Sequence, residues 1–259
     1  MIYGRKELMS QIQSIKKPEM IIFDYGHTLL YEPGFDAMRC EEAAFPYIIG
    51  NPQNLTVEQI YGEVQKMFQR FGEERDRGIE IHEWQFMRLI YEYLGIQFSI
   101  SYEELEEIEW NAAAEGAVMP YAEQMLDYLN RNGIRTAVIS NIGWSGTALA
   151  KRINRLLPGN RFEFIIASSE YVVRKPDRLL FEIALRKAGL SAEKVWYCGD
   201  SMRCDVMGAH GAGIYPVLYE GDTPGEVNPF LHQNEGVEAD FDYLHIHDWR
   251  ELVEILEAV

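Results

Sequence analysis

Six polar or charged residues lie at the ends of apolar segments or beside a proline, and together they suit chemistry on a phosphoryl group. They are Asp24, the pair Ser140 and Asn141, Lys175, and the pair Asp200 and Asp205. Carboxylate oxygens bind Mg²⁺, and a lysine with hydrogen-bond donors offsets the charge of a phosphoryl group. A carboxylate in line with phosphorus can attack it and form an aspartyl phosphate. The set therefore predicts phosphoryl chemistry at a divalent cation.

Asp24 is placed for this role by the apolar run 20–23 before it and the turn after it. A short apolar run bounded by turn residues is typical of a buried strand in a parallel sheet. Gly26 is the hinge of that turn, and Thr28 lies just beyond it. Ligands of open α/β sheets bind at the carboxyl ends of the strands. We therefore expect three later segments to converge on Asp24, namely 136–141, 173–177 and 198–205.

Strands and helices alternate along the chain after residue 118. The predicted strands cover 135–140, 163–167, 195–198, 214–218 and 242–245. The predicted helices cover 121–132, 145–157, 177–188, 203–210 and 248–258. This alternation is typical of a parallel sheet whose strands are joined by helices. The fold class predicted for this part of the chain is therefore α/β.

Residues 33–117 predict an insert built from helices. Segments 36–49 and 81–94 are predicted to be helical. Thr56 is placed to cap a helix between them, which has apolar residues from Ile60 to Phe71 on one face. Ser101 is followed three residues later by Glu104, which is the pattern of a capping box. No strand pattern interrupts this stretch, so we expect an all-helical insert.

The predicted organisation has three parts. Residues 1–17 form an N-terminal helix over 4–15 that ends before Pro18, since the residue before a proline avoids the helical conformation. Residues 18–32 and 118–259 form the α/β core, and 33–117 form the insert.

The four segments around Asp24, Asn141, Lys175 and Asp200 resemble the four motifs of the haloacid dehalogenase (HAD) superfamily, in order, spacing and local structure. The resemblance extends over nearly the whole chain. It implies a Rossmann-like parallel sheet core with an inserted all-helical cap domain over 33–117, and a Mg²⁺-dependent hydrolase.

The resemblance also implies a role for each matching residue. Asp24 matches the nucleophile, and Lys175 matches the lysine that balances the charges of the nucleophile and the phosphoryl group. The positions that match phosphate contacts are Thr28, Ser140 and Asn141. The positions that match the Mg²⁺ site are Asp24, the backbone carbonyl of Gly26, Asp200 and Asp205, with Asp205 supporting Lys175 or the water shell of the metal.

Gly26 is a departure from the pattern of the family's phosphatases. Those enzymes carry a second Asp at this position, which protonates the leaving oxygen and then takes a proton from the attacking water. The glycine that usually follows is replaced by His27. General acid–base catalysis is typically worth about 10²–10⁴-fold in rate.

Four interpretations of this departure stay open from the sequence. The first is a phosphatase for small phosphorylated metabolites that is slow or selective for the leaving group. In this enzyme water or His27 replaces the second Asp that is missing at Gly26. The second is a pseudoenzyme that binds phosphorylated ligands without turnover. The third is a dehalogenase, which the intact Asp200 and Asp205 pattern disfavours. The fourth is a phosphonatase using a cap lysine, for which Lys66 is the sole candidate in 33–117, although a surface position suits Lys66 better.

Charge and hydropathy exclude several classes of function. The formal net charge is −17, and the chain has no basic patch of the kind that nucleic-acid binders carry. Residues 33–117 hold 17 Asp and Glu against 6 Lys and Arg, so an anionic substrate needs local cations such as Arg70, Arg75 or Arg77. No apolar run approaches the roughly 18 residues of a membrane span, and 1–14 lacks the apolar stretch of a signal peptide.

The cysteines and histidines give weaker indications. The three cysteines have no CxxC spacing, which predicts a reducing cytoplasm and argues against disulfides or a zinc site built from cysteines. His245 and His247 share one face of a predicted strand, which suggests metal binding. No third ligand lies near them in sequence, so the sequence alone does not predict a metal site at this pair.

Overall fold

The computed structural model of this chain describes residues 15–225 and 234–259. Its strands are β1 Met20–Phe23, β2 Leu30–Tyr31, β3 Ile48–Gly50, β4 Gln97–Phe98, β5 Ala117–Val118, β6 Arg135–Ser140, β7 Phe162–Ala167, β8 Val195–Gly199, β9 Tyr215–Tyr219 and β10 Leu244–Ile246. Its α-helices are α1 Met38–Ala44, α2 Val57–Asp76, α3 Glu83–Leu94, α4 Tyr102–Ala113, α5 Ala122–Arg131, α6 Gly146–Leu156, α7 Arg178–Ala188, α8 Met207–Gly211 and α9 Trp249–Ala258. The predicted N-terminal helix over 4–15 lies outside the described residues, apart from its last residue.

The main sheet is parallel and has the strand order β10-β9-β8-β1-β6-β7. β1 lies inside the sheet, with Met20 opposite Arg135 of β6 on one side and Val195 of β8 on the other. The backbone N–H of Asp24 donates to the carbonyl of Cys198 at 2.8 Å, so the ladder continues one residue past β1. The predicted parallel α/β sheet is confirmed, and Asp24 lies at its carboxyl edge.

Helices cover both faces of this sheet. One apolar cluster packs α5, α6 and α9 against one face, and a second packs α7 and α8 against the other. All four residues of β1 are fully buried, which explains why this strand is a continuous apolar run rather than an alternating one. Within 15–225 and 234–259, no helix is both long enough and apolar enough to cross a membrane.

Helices α1 to α4 of the segment 33–117 pack around a third apolar cluster. Thr56 with Gln59, and Ser101 with Glu104, both form the reciprocal hydrogen bonds of a capping box, which confirms the two predicted helix starts.

One short ladder between β3 and β4 interrupts the helices, and the sequence analysis did not predict it. The helix predicted over 36–49 ends at Ala44 and is followed by a 3₁₀ turn at Phe45–Tyr47 that contains Pro46. Proline has no N–H for a continued α-helix, and the following pair Ile48 and Ile49 favours a strand.

A second short ladder joins the two ends of this segment. Leu30 of β2 pairs with Val118 of β5, so the chain leaves the core and returns to it at one place. Because the ladder begins six residues after Asp24, both crossings lie close to the carboxyl edge of the main sheet.

Candidate active site

Most of the predicted site residues line one cavity of about 700 Å³ at the carboxyl edge of the main sheet. The predicted residues in its wall are Asp24, Gly26, Ser140, Asn141, Lys175, Asp200 and Asp205. They come from the ends of β1, β6 and β8 and from the loop before α7. The four sequence segments that were expected to converge are therefore brought together.

Lys175 is the centre of the polar contacts in this wall. Its Nζ lies 2.6 Å from Asp24 Oδ1, 2.6 Å from Asp205 Oδ1 and 2.8 Å from the hydroxyl of Tyr197. Burial alone would lower the pKa of Lys175, but the carboxylates of Asp205 and Asp24 outweigh it and hold the pKa well above its usual value. The ammonium is therefore protonated and uses its three donors on three acceptors.

Asp205 is held by a π-helical turn at Met202–Val206, which replaces the first part of the helix predicted over 203–210. Its Oδ1 accepts from Lys175, and its Oδ2 accepts from the N–H of Ser201 at 3.0 Å. A Cβ atom at Gly199 would collide with the Asp205 carboxylate, so the chain needs glycine there. This close approach explains in physical terms why glycine precedes Asp200.

Three carboxylates meet at this point. Ligand oxygens of Asp24, Asp200 and Asp205 lie within 4.8 Å of one another. Burial is the main cause that raises the pKa of Asp24 to about 6; Lys175 opposes the rise, and the nearby Asp205 adds to it. One ammonium leaves an excess of negative charge among three carboxylates, and hard oxygen donors of this kind fit Mg²⁺.

Asn141 lies against the backbone of Lys175. Its Oδ1 accepts from the Lys175 N–H at 2.7 Å, and its Nδ2 donates to the Lys175 carbonyl at 2.9 Å. The side chain thus positions the lysine, and its role as a phosphate contact stays a prediction. Ser140 is buried at the end of β6 and lines the cavity.

Thr28 lies outside the set of described residues that line the cavity. Its side chain is fully buried, and its hydroxyl has no hydrogen-bond partner among the described residues. Its carbonyl accepts from the indole N–H of Trp249 at 3.1 Å. The structure therefore places Thr28 beneath the turn after Asp24, and its phosphate contact also stays a prediction.

The turn at Gly26 and His27 has two separate features. A Cβ atom at Gly26 would meet no heavy atom within 4 Å apart from its chain neighbours, so the position has room for a side chain. His27 has a φ of 51°, in the left-handed region that favours glycine. This conformation gives a physical reason for the glycine that the resemblance expects at position 27.

Tyr197 is a site residue that sequence reasoning missed. Besides accepting from Lys175, its hydroxyl donates to the carbonyl of Ile139 at 3.1 Å. The available indication was a hydroxyl-bearing side chain inside a fully buried strand, two residues before Gly199. A buried tyrosine hydroxyl usually has a partner, and here it has two, the lysine and the Ile139 carbonyl.

Two arginines and one buried carboxylate form another part of the cavity wall. Arg75 Nε lies 3.2 Å from Glu80 Oε1, and Arg174 Nε lies 3.5 Å from Glu80 Oε2. The Glu80 side chain is 0% exposed and also accepts from the Ser168 hydroxyl at 2.7 Å. Both arginines line the cavity, so this part of its wall carries one positive charge in excess.

Three other cations of the segment 33–117 lie outside the cavity lining, namely Arg70, Arg77 and Lys66. Arg70 is exposed, and Arg77 is 66% exposed and pairs with Glu73 and Glu74. The Lys66 side chain is 72% exposed, and its Nζ lies 2.6 Å from Glu63 Oε1. This carboxylate raises the pKa of Lys66, the reverse of what a Schiff-base lysine needs.

Two buried carboxylates around one lysine at the carboxyl edge of a parallel α/β sheet form a charged site, and comparison with known proteins gives the family. The sequence matches the haloacid dehalogenase-like hydrolase family over residues 19–213. The chain belongs to this family.

Individual relatives are distant. Glyceraldehyde 3-phosphate phosphatase from Methanothermobacter thermautotrophicus is 25% identical over 91% of this chain and 98% of its own length. Phosphoserine phosphatase from Thermus thermophilus is 31% identical over 44% of this chain and 45% of its own. Haloacid dehalogenase-like hydrolase domain-containing protein 3 from Mus musculus is 29% identical, and the match spans 41% of each chain. For several of these relatives the match thus covers less than half of the relative's length.

Solved structures share the fold. The 2-haloacid dehalogenase from Pseudomonas syringae pv. Tomato DC3000 has a TM-score of 0.57 at 21% identity, over 94% of this chain and 98% of its own. A HAD phosphatase from Thermococcus onnurineus has a TM-score of 0.57 at 18% identity, over 92% of this chain and 98% of its own. At such identities the likeness concerns the fold alone.

Proposed function

We propose that this chain is a Mg²⁺-dependent phosphatase that hydrolyses a small phosphorylated metabolite through an aspartyl phosphate at Asp24. The observation that carries the proposal is the position of Lys175, whose ammonium lies 2.6 Å from both Asp24 and Asp205 in the cavity wall. A relative named glyceraldehyde 3-phosphate phosphatase, similar over nearly its whole length, supports the same class of reaction.

Asp24 supplies the nucleophile of the proposed reaction. One carboxylate oxygen attacks phosphorus, the bond from phosphorus to the leaving oxygen breaks, and that oxygen takes up a proton. A water molecule then attacks the phosphorus of the aspartyl phosphate, inorganic phosphate leaves, and the carboxylate is restored. Lys175 offsets the negative charge that Asp24 and the phosphoryl group bring together.

The residues proposed to hold Mg²⁺ are Asp24, Asp200 and the backbone carbonyl of Gly26, with Asp205 beside them. When bound, the cation offsets the charge on phosphoryl oxygens. Since Lys175 and the Ser201 N–H already occupy one oxygen each of Asp205, we assign Asp205 to holding the lysine and the metal's water shell.

Gly26 has no side chain that could give a proton to the leaving oxygen or take one from the attacking water. We propose that water carries out this transfer, at a cost of about 10²–10⁴-fold in rate compared with a positioned acid–base group. The enzyme should therefore prefer esters whose leaving group departs readily. Gly26→Asp is the matching variant, because the structure has open space at this position.

The surroundings of the cavity support a small anionic substrate. Arg75 from the acidic segment 33–117 and Arg174 from the loop before α7 both add cationic groups to the cavity wall. For the location of the chain we propose a reducing cytoplasm, on the ground that its three cysteines have no CxxC spacing.

The proposal is tested by measuring phosphate release from a panel of phosphate monoesters. We expect slow turnover that requires Mg²⁺. The Asp24→Asn variant should have no turnover, and Gly26→Asp should turn over about 10²–10⁴-fold faster than the wild type. Turnover that appears only in Gly26→Asp would support the binding-only alternative, in which the chain holds phosphorylated ligands without reaction. Halide release from 2-haloacids without metal would instead support a dehalogenase.

A further inference from the structure

A group of metal-ligating side chains lies at the carboxyl ends of β9 and β10, apart from the Asp24 cluster. It consists of Glu220, His245 and His247, whose ligand atoms all lie within 4.8 Å of one another. The carboxylate is the partner that sequence reasoning lacked, because 25 residues separate Glu220 from His245.

The two strands bring these residues together by their register. His245 pairs with Leu218 and Ile246 with Tyr219, and the N–H of Glu220 donates to the carbonyl of Ile246 at 2.9 Å. Alternate residues of a strand share a face, so His245 and His247 point to the same side. Leu244 and Ile246 of the same strand are buried, so the two imidazoles lie on the face away from the core.

The distances suit one shared ion. His245 Nε2 lies 2.8 Å from Glu220 Oε2, and the two imidazole rings are 4.4 Å apart between centroids. Donors bound tetrahedrally to zinc at about 2.1 Å lie about 3.4 Å from one another. Metal binding therefore requires the three side chains to rotate to that spacing, starting from ligand atoms that lie within 4.8 Å of one another. The His245 and Glu220 side chains are 35% and 22% exposed, so an ion can reach them from solvent.

The carboxylate is oriented by a further residue, as metal ligands usually are. Asn234 Nδ2 donates to Glu220 Oε1 at 2.9 Å, which leaves Oε2 facing His245. The same Asn234 amide donates to the carbonyl of Asp200 at 2.8 Å and accepts from the N–H of Met202 at 2.8 Å. The group is thus connected to the loop that carries Asp200.

We propose that Glu220, His245 and His247 bind a divalent metal ion that accepts imidazole ligands, such as Zn²⁺, and that Asn234 holds the Glu220 carboxylate in place for it. Two imidazoles and one carboxylate are a ligand set for zinc, and the fourth position is left to water. Imidazole ligands separate this site from the all-oxygen cluster at Asp24, which favours Mg²⁺. The net charge of −17 attracts cations of either kind to the surface.

The test is calorimetric titration of the full chain with Zn²⁺ in the presence of excess Mg²⁺, which occupies the oxygen cluster. We expect one zinc ion per chain, with affinity reduced more than about tenfold in His245→Ala and in His247→Ala. His210→Gln removes an exposed histidine of α8 outside the group and should bind as the wild type does. Asp200→Asn, which weakens the oxygen cluster, should also leave zinc affinity unchanged.

Two further measurements complete the test. Asn234→Ala should weaken zinc binding about tenfold by releasing the Glu220 carboxylate. Zinc should raise the midpoint of thermal unfolding in the wild type but not in a His245→Ala, His247→Ala double variant. Circular dichroism of the variants confirms that they are folded. The proposal would be overturned if the wild type and the double variant bound zinc with equal affinity. It would also be overturned if the wild type bound no zinc in the presence of excess Mg²⁺.

Discussion

Asn141 and Lys175 are joined by two hydrogen bonds that run in opposite directions between one side-chain amide and one backbone unit. The amide oxygen accepts at 2.7 Å, and the amide nitrogen donates at 2.9 Å. The side chain of Lys175 in turn reaches Asp24 and Asp205. The orientation of the nucleophile therefore depends on an amide at the end of a different strand.

Asn141→Ala removes both of these hydrogen bonds. We expect kcat to fall by about 10- to 100-fold with little change in KM, since a displaced Lys175 harms the transition state more than binding. The free energy of unfolding should also fall by about 1–3 kcal/mol. Steady-state kinetics and urea unfolding measure the two effects. A rise in KM at constant kcat would show instead that the Asn141 amide serves mainly to contact phosphate.

His27 is expected to serve the turn rather than proton transfer. His27→Asn keeps a residue that tolerates positive φ, and His27→Gly removes the strain of a Cβ atom at φ 51°. Both variants should keep kcat within about twofold and stability within about 1 kcal/mol of the wild type. The measurement is the dependence of kcat on pH in all three proteins. If kcat of the wild type changed with pH near the usual pKa of imidazole and this change were lost in both variants, His27 would be the proton carrier.

Arg75 is expected to bind the substrate rather than take part in the chemical step. Arg75→Gln should raise KM about tenfold at nearly constant kcat, because it removes a cation from the cavity wall. Arg77→Gln is the matched control, since this neighbouring arginine is 66% exposed and pairs with Glu73 and Glu74. Equal changes in KM for the two variants would show that the effect comes from overall charge.

Glu41 should make stability depend on pH. Burial raises its pKa from 4.5 to about 7, although a hydrogen bond from the Tyr91 hydroxyl at 3.1 Å opposes the rise. The folded chain therefore holds a proton that the unfolded chain releases between these two pH values. Stability conferred by neutral Glu41 is full below pH 4.5 and is lost as the pH rises towards 7.

Glu41→Gln keeps the shape of the side chain and removes the ionisation. Above pH 7 the variant should be more stable than the wild type by about 1–3 kcal/mol, and the difference should vanish near pH 4.5. Chemical unfolding at several pH values measures it, with exposed Glu42→Gln as the control. A wild type that became more stable than Glu41→Gln as the pH rose would contradict the assignment.

Sequence reasoning found the residues whose chemistry is marked by a local pattern. Asp24, Asp200 and Lys175 each stand next to a strand end or a proline, so type and position could be read together. Tyr197 lies in a strand that looks uniformly apolar, and only its distance to Lys175 shows what its hydroxyl does.

Contacts between distant segments were beyond that reasoning. The β3–β4 ladder pairs Ile48 with Phe98. Both strands are too short to show a sequence pattern of their own. Glu220 and His245 meet because β9 and β10 are neighbours in the sheet. Both contacts depend on which distant segments are neighbours in a sheet. Local residue preferences do not determine that pairing.

The most direct test of the account is to trap the intermediate at Asp24. Without an acid–base side chain at Gly26, attack of water on the aspartyl phosphate should be slow, so the intermediate should accumulate during turnover. Acid quench with a reactive phosphate ester and Mg²⁺, followed by peptide mass spectrometry, should find one phosphoryl group on the peptide that contains Asp24. The amount should be smaller in Gly26→Asp and nil in Asp24→Asn. Phosphate release that continues in Asp24→Asn, or turnover of the wild type with no phosphorylated peptide, would contradict the account.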